Sequence, residues 1–317
     1  MKFFRPMVAI ILSLFALNLF AQSKRITYKS AKSTSSYYQM AVQLGENINK
    51  VTNADIKFTI EESQGSVQNV KEAPKRRGNY VFTTPPVLIK LALNKKAMFK
   101  NDNPENYQKI RALFPIPFLT MHFVVRADSN IKSFNDLAGK SLLIAKGTFG
   151  AKEAKKYIKL FGLLDKVKLV NAELSNAVTA LKNSQVDGFA TSGSYPAPNV
   201  IEASATTPIN LLSLSDEQIK LTKRDKIIIP AGTYKGVNYD VTTTTLPVGV
   251  YTTTDMDEDT AYELTKAFWK AKPLLQKQSS WWKAVTYKNL SIFHTKLHKG
   301  ALKYYKEMGV KIPQILQ

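Results

Sequence analysis

Cysteine is absent from the 317 residues. No disulfide can form, no thiol nucleophile exists, and no lipid-anchoring cysteine follows the N-terminal apolar run. Acidic residues are scarce: 24 Asp and Glu face 45 Lys and Arg, a formal net charge of +21. Histidine occurs three times. His294 and His298 stand four apart, a spacing that would put two metal ligands on one helix face. Lysines surround them and Glu307 is the one acid nearby, so a surface pair is the favoured reading. Nucleophile-elbow spacing of the GxSxG kind is missing. Gly139-Lys140-Ser141 looks like the end of a P-loop, but the first glycine of that pattern falls on Phe134, so the motif fails. No enzyme, cofactor or metal is therefore expected. Long apolar runs are missing too. The stretch 7–20 is shorter than the ~20 residues of a membrane span.

That stretch has another reading. Lys2 and Arg5 precede it, and the small residues Ala21 and Ser23 follow, the pattern of a cleavable secretory signal over residues 1–21. An uncleaved anchor is the alternative. Removal takes away two bases and no acids, leaving 43 − 24 = +19 on the mature chain. The excess is uneven: eleven lysines and the single acid Glu307 lie between Lys266 and Lys311. Such a surface is either a solvated lysine-rich face or a polyanion-binding one. Lysine dominates over arginine and no nucleic-acid motif is present, so no nucleic-acid partner is expected.

Residues 141–162, SLLIAKGTFGAKEAKKYIKLFG, show the unit from which the chain is built. A short apolar strand runs into the turn Lys146-Gly147-Thr148-Phe149-Gly150. A helix follows, with Ala151, Ala154, Tyr157, Ile158 and Phe161 at helical spacing and Gly162 ending it. By itself this is an ordinary βα turn or an anion site at a helix start. The unit recurs. Strands at 26–29, 56–61 and 79–82 each lead through a hydroxyl-bearing loop to a helix: Ser30 to Ser36, then Ser63 to Ser66, then Thr83-Thr84-Pro85-Pro86. Ser35 or Ser36 is a natural N-cap. Further on come strand-like stretches at 109–115 and 120–126 joined by a proline bend, and a short helix at 131–137. Beyond 141–162 follow strands at 168–170 and 188–191, a helix around 174–181, the loop Ser192-Gly193-Ser194-Tyr195-Pro196 and a helix at 198–203. A long β run at 242–251 and helices at 257–272 and 300–308 close the chain. Two α/β lobes crossed by strands near 115–125 and 240–250 make a hinged binding architecture, with a cleft between facing loops.

From about residue 26 to 309 the chain resembles the TAXI family of solute-binding proteins, receptors of tripartite ATP-independent periplasmic (TRAP) transporters. Ser36-Tyr37-Tyr38 stands at the family's glycine-rich loop with its Tyr-Tyr pair. Gly65-Ser66-Val67-Gln68-Asn69 matches its GSVxN segment, and residues 124–129 with 136–140 match its VVRADSxI…DLxGK run. Gly193-Ser194-Tyr195-Pro196 matches GxYP, and residues 230–237 match PAGTYxG. The resemblance implies an α/β, two-lobed type II periplasmic-binding-protein fold, hinged around a central cleft. The expected partition is lobe 1 at 22–120 and 243–317, and lobe 2 at 121–242. It also implies a monomeric periplasmic receptor that closes on a small carboxylate, a glutamate-like amino acid or a dicarboxylate or 2-oxoacid, and docks on TRAP membrane subunits. The expected ligand-binding residues are Ser35, Ser36, Tyr37, Ser66, Thr83, Thr84, Lys146, Gly147, Thr148, Phe149 and Tyr195, with Lys146 the expected charged partner. For the serines and threonines plain capping is the competing role, for the tyrosines core packing. Lys32, Thr83-Thr84-Pro85 and Lys146 to Gly150 depart from the family pattern, which points to a different ligand. A basic surface protein that keeps the fold and binds polyanions is the competing function.

Overall fold

The computed structural model describes residues 23–317. The proposed signal segment 1–21 lies outside the described residues. The first three units are β1 (Lys24–Lys29), α1 (Ser36–Val51), β2 (Ile56–Glu61), α2 (Ser66–Glu72), β3 (Tyr80–Thr84) and α3 (Pro86–Leu93). The strands pair in parallel, β1 between β2 and β3. β4 (Ile110–Arg126) then runs into β5 (Ser141–Ala145), α4 (Phe149–Leu160), β6 (Lys168–Ala172), α5 (Ala177–Lys182), β7 (Gly188–Gly193) and α6 (Pro198–Thr206). Three short elements follow, β8 (Ile209–Leu211), α7 (Asp216–Thr222) and β9 (Asp225–Ile229). The chain ends with β10 (Val241–Thr253), α8 (Glu258–Gln278) and α9 (Lys299–Glu307). Among the described residues, ten strands form one sheet in the order β2-β1-β3-β10-β4-β7-β5-β6, with β8 beside β4 and β9 beside β10. No helix among them is long and apolar enough to cross a membrane.

The sheet is packed by three apolar clusters, one in the first half and two in the second. One apolar cluster draws on residues 26–119 and 246–316, among them Phe82, Phe114, Tyr251, Phe268 and Trp282. Two others draw on residues 121–241 and pack around Phe123, Phe134 and Tyr157 and around Phe189, Val200 and Tyr234. Phe149 is the exception in sequence order: it belongs to the first cluster. The chain passes between the cores along β4 and β10, which pair antiparallel from Ile110–Thr253 to Thr120–Thr245.

Several local expectations change. A proline bend was expected between two strands, yet β4 is one strand of 17 residues through Pro115 and Pro117. The β4–β10 register shifts between Leu246 and Val248, opposite residues 116–119, and such bulges accept residues that lack a donor. Thr83 and Thr84 end a fully buried strand rather than forming a loop. Phe149 and Gly150 open α4 instead of ending the turn before it. The 131–137 helix is reduced to a 3-10 turn at Asn135–Leu137. α8 continues through Pro273 to Gln278 because its buried face, to Leu275, packs against α1 and α9. His294 and His298 share no helix, since Tyr287–Ile292 is 3-10 and α9 starts at Lys299.

Asn69 ties the first lobe together. It is fully buried, and its Nδ2 donates to the carbonyls of Ser30 at 2.7 Å and Thr83 at 2.9 Å, while its Oδ1 accepts from Ser63 Oγ at 2.7 Å. One side chain of α2 thus holds the ends of β1 and β3 and the loop that leads from β2 into the helix. Asn69→Leu leaves buried polar groups unpaired and should lower stability by about 3 kcal/mol or more. A fall in the denaturant midpoint without a change in slope would show it.

Candidate functional site

The strand ends and helix starts of both halves meet in a cleft pocket. It is lined from the first half by Lys32, Ser35, Tyr37, Gln64, Gly65 and Ser66, and from the crossing strand by Leu119. From the second half come Ala145, Thr148, Phe149, Gly150, Leu174 and residues 190–192. The cavity volume is about 50 Å³, several times the roughly 10–15 Å³ that one water needs. A ligand of a few heavy atoms is the scale.

Two helix caps frame it. Ser35 Oγ accepts from Tyr38 N–H at 3.3 Å and donates to Lys32 carbonyl at 2.6 Å. Thr148 Oγ1 accepts from Ala151 N–H at 3.0 Å and donates to Ala145 carbonyl at 2.9 Å. Both hydroxyl protons are therefore spent on their own loops, and what the caps present to the cleft is the positive end of α1 and of α4. Tyr37 and Ser66 stand side by side, their hydroxyl oxygens 3.5 Å apart. Burial drives the Tyr37 phenol well above its ordinary pKa, outweighing the Ser66 contact, so it stays neutral.

Several contacts cross the cleft from one half to the other. Phe149 leaves the second half at the first residue of α4, is 5% exposed and packs into the first half's core. Ser36 Oγ donates across the boundary to Ser194 carbonyl at 3.3 Å. A Cβ at Gly193 would stand 2.6 Å from Ser36 Oγ, so any side chain there must displace the Ser36 hydroxyl from its place against β7. Gly147 adopts φ +75°, the left-handed region, with Gln64 of the other half 3.7 Å from where its Cβ would be.

Of the residues expected from the sequence, Ser35, Tyr37, Ser66, Thr148 and Phe149 are brought together on the pocket wall. Ser36 and Gly147 sit at the boundary without lining it. Thr83 is buried against the Tyr28 hydroxyl at 2.7 Å and Thr84 is fully buried beside it; neither reaches the pocket. Lys146 points to solvent, exposed and off the wall. Tyr195 lines a separate cavity of about 230 Å³ with Phe118, Ile227 and Trp281. Lys32, Gln64, Leu119, Leu174, Thr191 and Ser192 line the pocket without having been singled out as site residues. For Lys32 and Gln64 the signal was their place in the first two hydroxyl loops. Leu119 and Leu174 carried none. His298 holds Met256 carbonyl through Nε2 at 3.0 Å and accepts from Gly300 N–H through Nδ1, so both its nitrogens serve the fold.

This geometry has known counterparts. A periplasmic transporter structure superimposes with a TM-score of 0.62 at 13% identity, over 92% of this chain and 99% of that one. The periplasmic binding protein BugD gives 0.60 at 11%, over 91% and 99%. MatC from Rhodopseudomonas palustris with bound malate gives 0.56 at 11%, over 81% and 88%. The fold is the two-lobed type II periplasmic-binding-protein fold. The sequence profile of the NMT1-like family matches residues 29–309. The chain belongs to the NMT1-like family. In this NMT1-like chain one further buried group governs the loop beside the cleft. His122, 2% exposed, donates through Nδ1 to Thr120 carbonyl at 3.0 Å and accepts at Nε2 from Tyr234 Oη at 2.8 Å. Tyr234 Oη in turn accepts from Ala197 N–H at 2.8 Å, which settles its proton toward His122 and the tautomer with it. The 230–237 segment is thereby anchored to the loop that ends β7.

Two measurements follow from this arrangement. Burial holds the His122 pKa down to about 4, against the raising effect of the Thr120 carbonyl. The unfolded chain protonates His122 near pH 6.5 and the folded one does not. Its contribution is therefore fully present above pH 6.5 and declines as pH falls to about 4, a loss of about 3 kcal/mol. His122→Gln should flatten the stability profile over that window relative to wild type. Gly193→Ala should force Ser36 and β7 apart at a cost of ~1–3 kcal/mol to the closed form. An unchanged radius of gyration in solution scattering would count against a closure that depends on that contact.

Proposed function

We propose that this chain is an extracytoplasmic solute receptor of the TAXI type, serving a TRAP transporter and binding a small carboxylate between its lobes. The pocket between the apolar cores of two halves joined by crossing strands carries this reading. Helix N-termini from both halves face it, Tyr37 and Phe149 wall it, and its size suits a small acid. Lobe 1 at 22–120 and 243–317 and lobe 2 at 121–242 would rotate about β4 and β10 to admit the ligand. The closed form would then be what the membrane subunits recognise. Residues 1–21 would export the protein to the periplasm as a monomer. MatC, a structural neighbour, binds malate, which is in keeping with an organic acid in this cleft. Ser35, Tyr37, Ser66, Thr148 and Phe149 are the proposed contacts.

A polyanion-binding role for the C-terminal face is the second reading. It is favoured by the eleven lysines between Lys266 and Lys311, ten of them exposed and Lys272 buried, none of which forms an ion pair among the described residues. Thermal shift separates the two. A cognate acid at 100 times its Kd adds about 2.7 kcal/mol to the folded state, a rise of several degrees for a chain of this size. No shift across a panel of amino and organic acids, with salt-sensitive heparin binding instead, would transfer the function to the lysine face.

A further inference from the structure

Lys32 is the single charged side chain among the residues lining the cleft pocket. It projects from the loop between β1 and α1 in the first half. Its Nζ stands 3.8 Å from Oε2 of Glu173, which follows β6 in the second half, so the pair spans the boundary at the cleft. The partnership is a poor one. Glu173 Oε2 is hidden from solvent and accepts no hydrogen bond, and 3.8 Å is beyond hydrogen-bond length. A ligand carboxylate that reached the ammonium at the ~2.8 Å of a charge-assisted bond would satisfy it better than Glu173 does.

No other charged side chain lines the wall, and the N-termini of α1 and α4 face it. Tyr37, Leu119, Phe149 and Leu174 are its apolar part, and the Ser35 and Thr148 hydroxyl protons are committed to their own loops. A second carboxylate in so small a space would meet helix N-termini and neutral polar groups but no second cation, a weaker compensation for its desolvation than an ammonium gives. We propose that Lys32 sets the charge class of the ligand, a small monocarboxylate with a short apolar body, and that Glu173 is an internal competitor for the same ammonium. This rests on the receptor reading and narrows it. The monoanion enters a pocket whose charge Glu173 had cancelled, so removing Glu173 strengthens binding and removing Lys32 weakens it.

Calorimetry on the signal-free chain tests this with acetate, propionate, pyruvate and lactate against succinate and malate. The proteins are wild type, Lys32→Gln, Glu173→Gln and the double variant. Both side chains are partly exposed, 30% and 40%, and a thermal melt of each variant verifies that it is folded. Wild type should prefer a monocarboxylate. Lys32→Gln should weaken it about 10–100-fold, and Glu173→Gln should tighten it about 3–10-fold. The gain from Glu173→Gln should vanish in the Lys32→Gln background, because the competition is for Lys32 itself. Tighter binding of the dicarboxylates, an unchanged affinity in Lys32→Gln, or equal effects of Glu173→Gln in both backgrounds would each overturn this proposal and leave the receptor reading standing. Failure of wild type to bind any of the four monocarboxylates would overturn this proposal, and failure to bind any acid of the wider amino- and organic-acid panel would overturn the receptor reading as well.

Discussion

The pairing of β4 with β10 is the constraint on which everything else hangs. These are the only stretches, within residues 23–317, along which the chain passes from one apolar core to the other, and they pass side by side. Near the crossing the ladder is irregular, with Pro117 on one strand and Pro247 on the other. Threonine hydroxyls fill in: Thr245 Oγ1 donates to Leu119 carbonyl at 2.9 Å and Thr243 Oγ1 to Met121 carbonyl at 2.7 Å. Side-chain hydroxyls thus take up two carbonyls where the ladder shifts register, which lets the sheet bend there at less cost to its backbone. Two residues of the run TTTT have this role, Thr243 and Thr245, while Thr244 holds the Tyr157 hydroxyl at 2.7 Å.

Because the crossing holds two halves edge to edge, the helix starts that follow β1, β2 and β5 face one another across a gap. The gap is closed by contacts of quite different kinds. Phe149 contributes apolar burial, Ser36 a hydrogen bond, Gly193 the absence of a side chain, and Lys32 with Glu173 a long ion pair. None is large, as a cleft that must reopen requires. The buried Arg224–Glu153 pair, with Nη2 2.9 Å from Oε1, lies within the second half, where it holds α4 to the segment after α7 without tying the lobes together.

Much of this was readable beforehand. The strand at 141–145 and that at 56–61 agree with the structure residue for residue, since short apolar runs bounded by glycine or polar loops leave little freedom. Ser35 and Thr148 cap their helices, as hydroxyls before an apolar-periodic run do. Other features resisted. Prolines in β4 read as a break because a local pattern cannot show that the partner strand bulges opposite them. Thr83 and Thr84 looked like a loop because hydroxyls are common in loops; they are strand because both faces of β3 are covered. β9, with its exposed Asp225 and Lys226, carries little apolar alternation and owes its existence to the edge of β10.

The sequence by itself thus determined the repeating strand–loop–helix units, the caps, the paired α/β halves and the absence of thiol chemistry. These depend on residues near one another in the chain. Only the tertiary structure decided which lysine meets the cleft. Lys146 and Lys32 each sit in a hydroxyl-bearing loop before a helix, and their local patterns are alike. The angle at which the halves close leaves Lys146 in solvent and turns Lys32 onto the pocket wall, opposite a glutamate 141 positions away in sequence. Such a pairing is set by the crossing strands, and no local pattern encodes it.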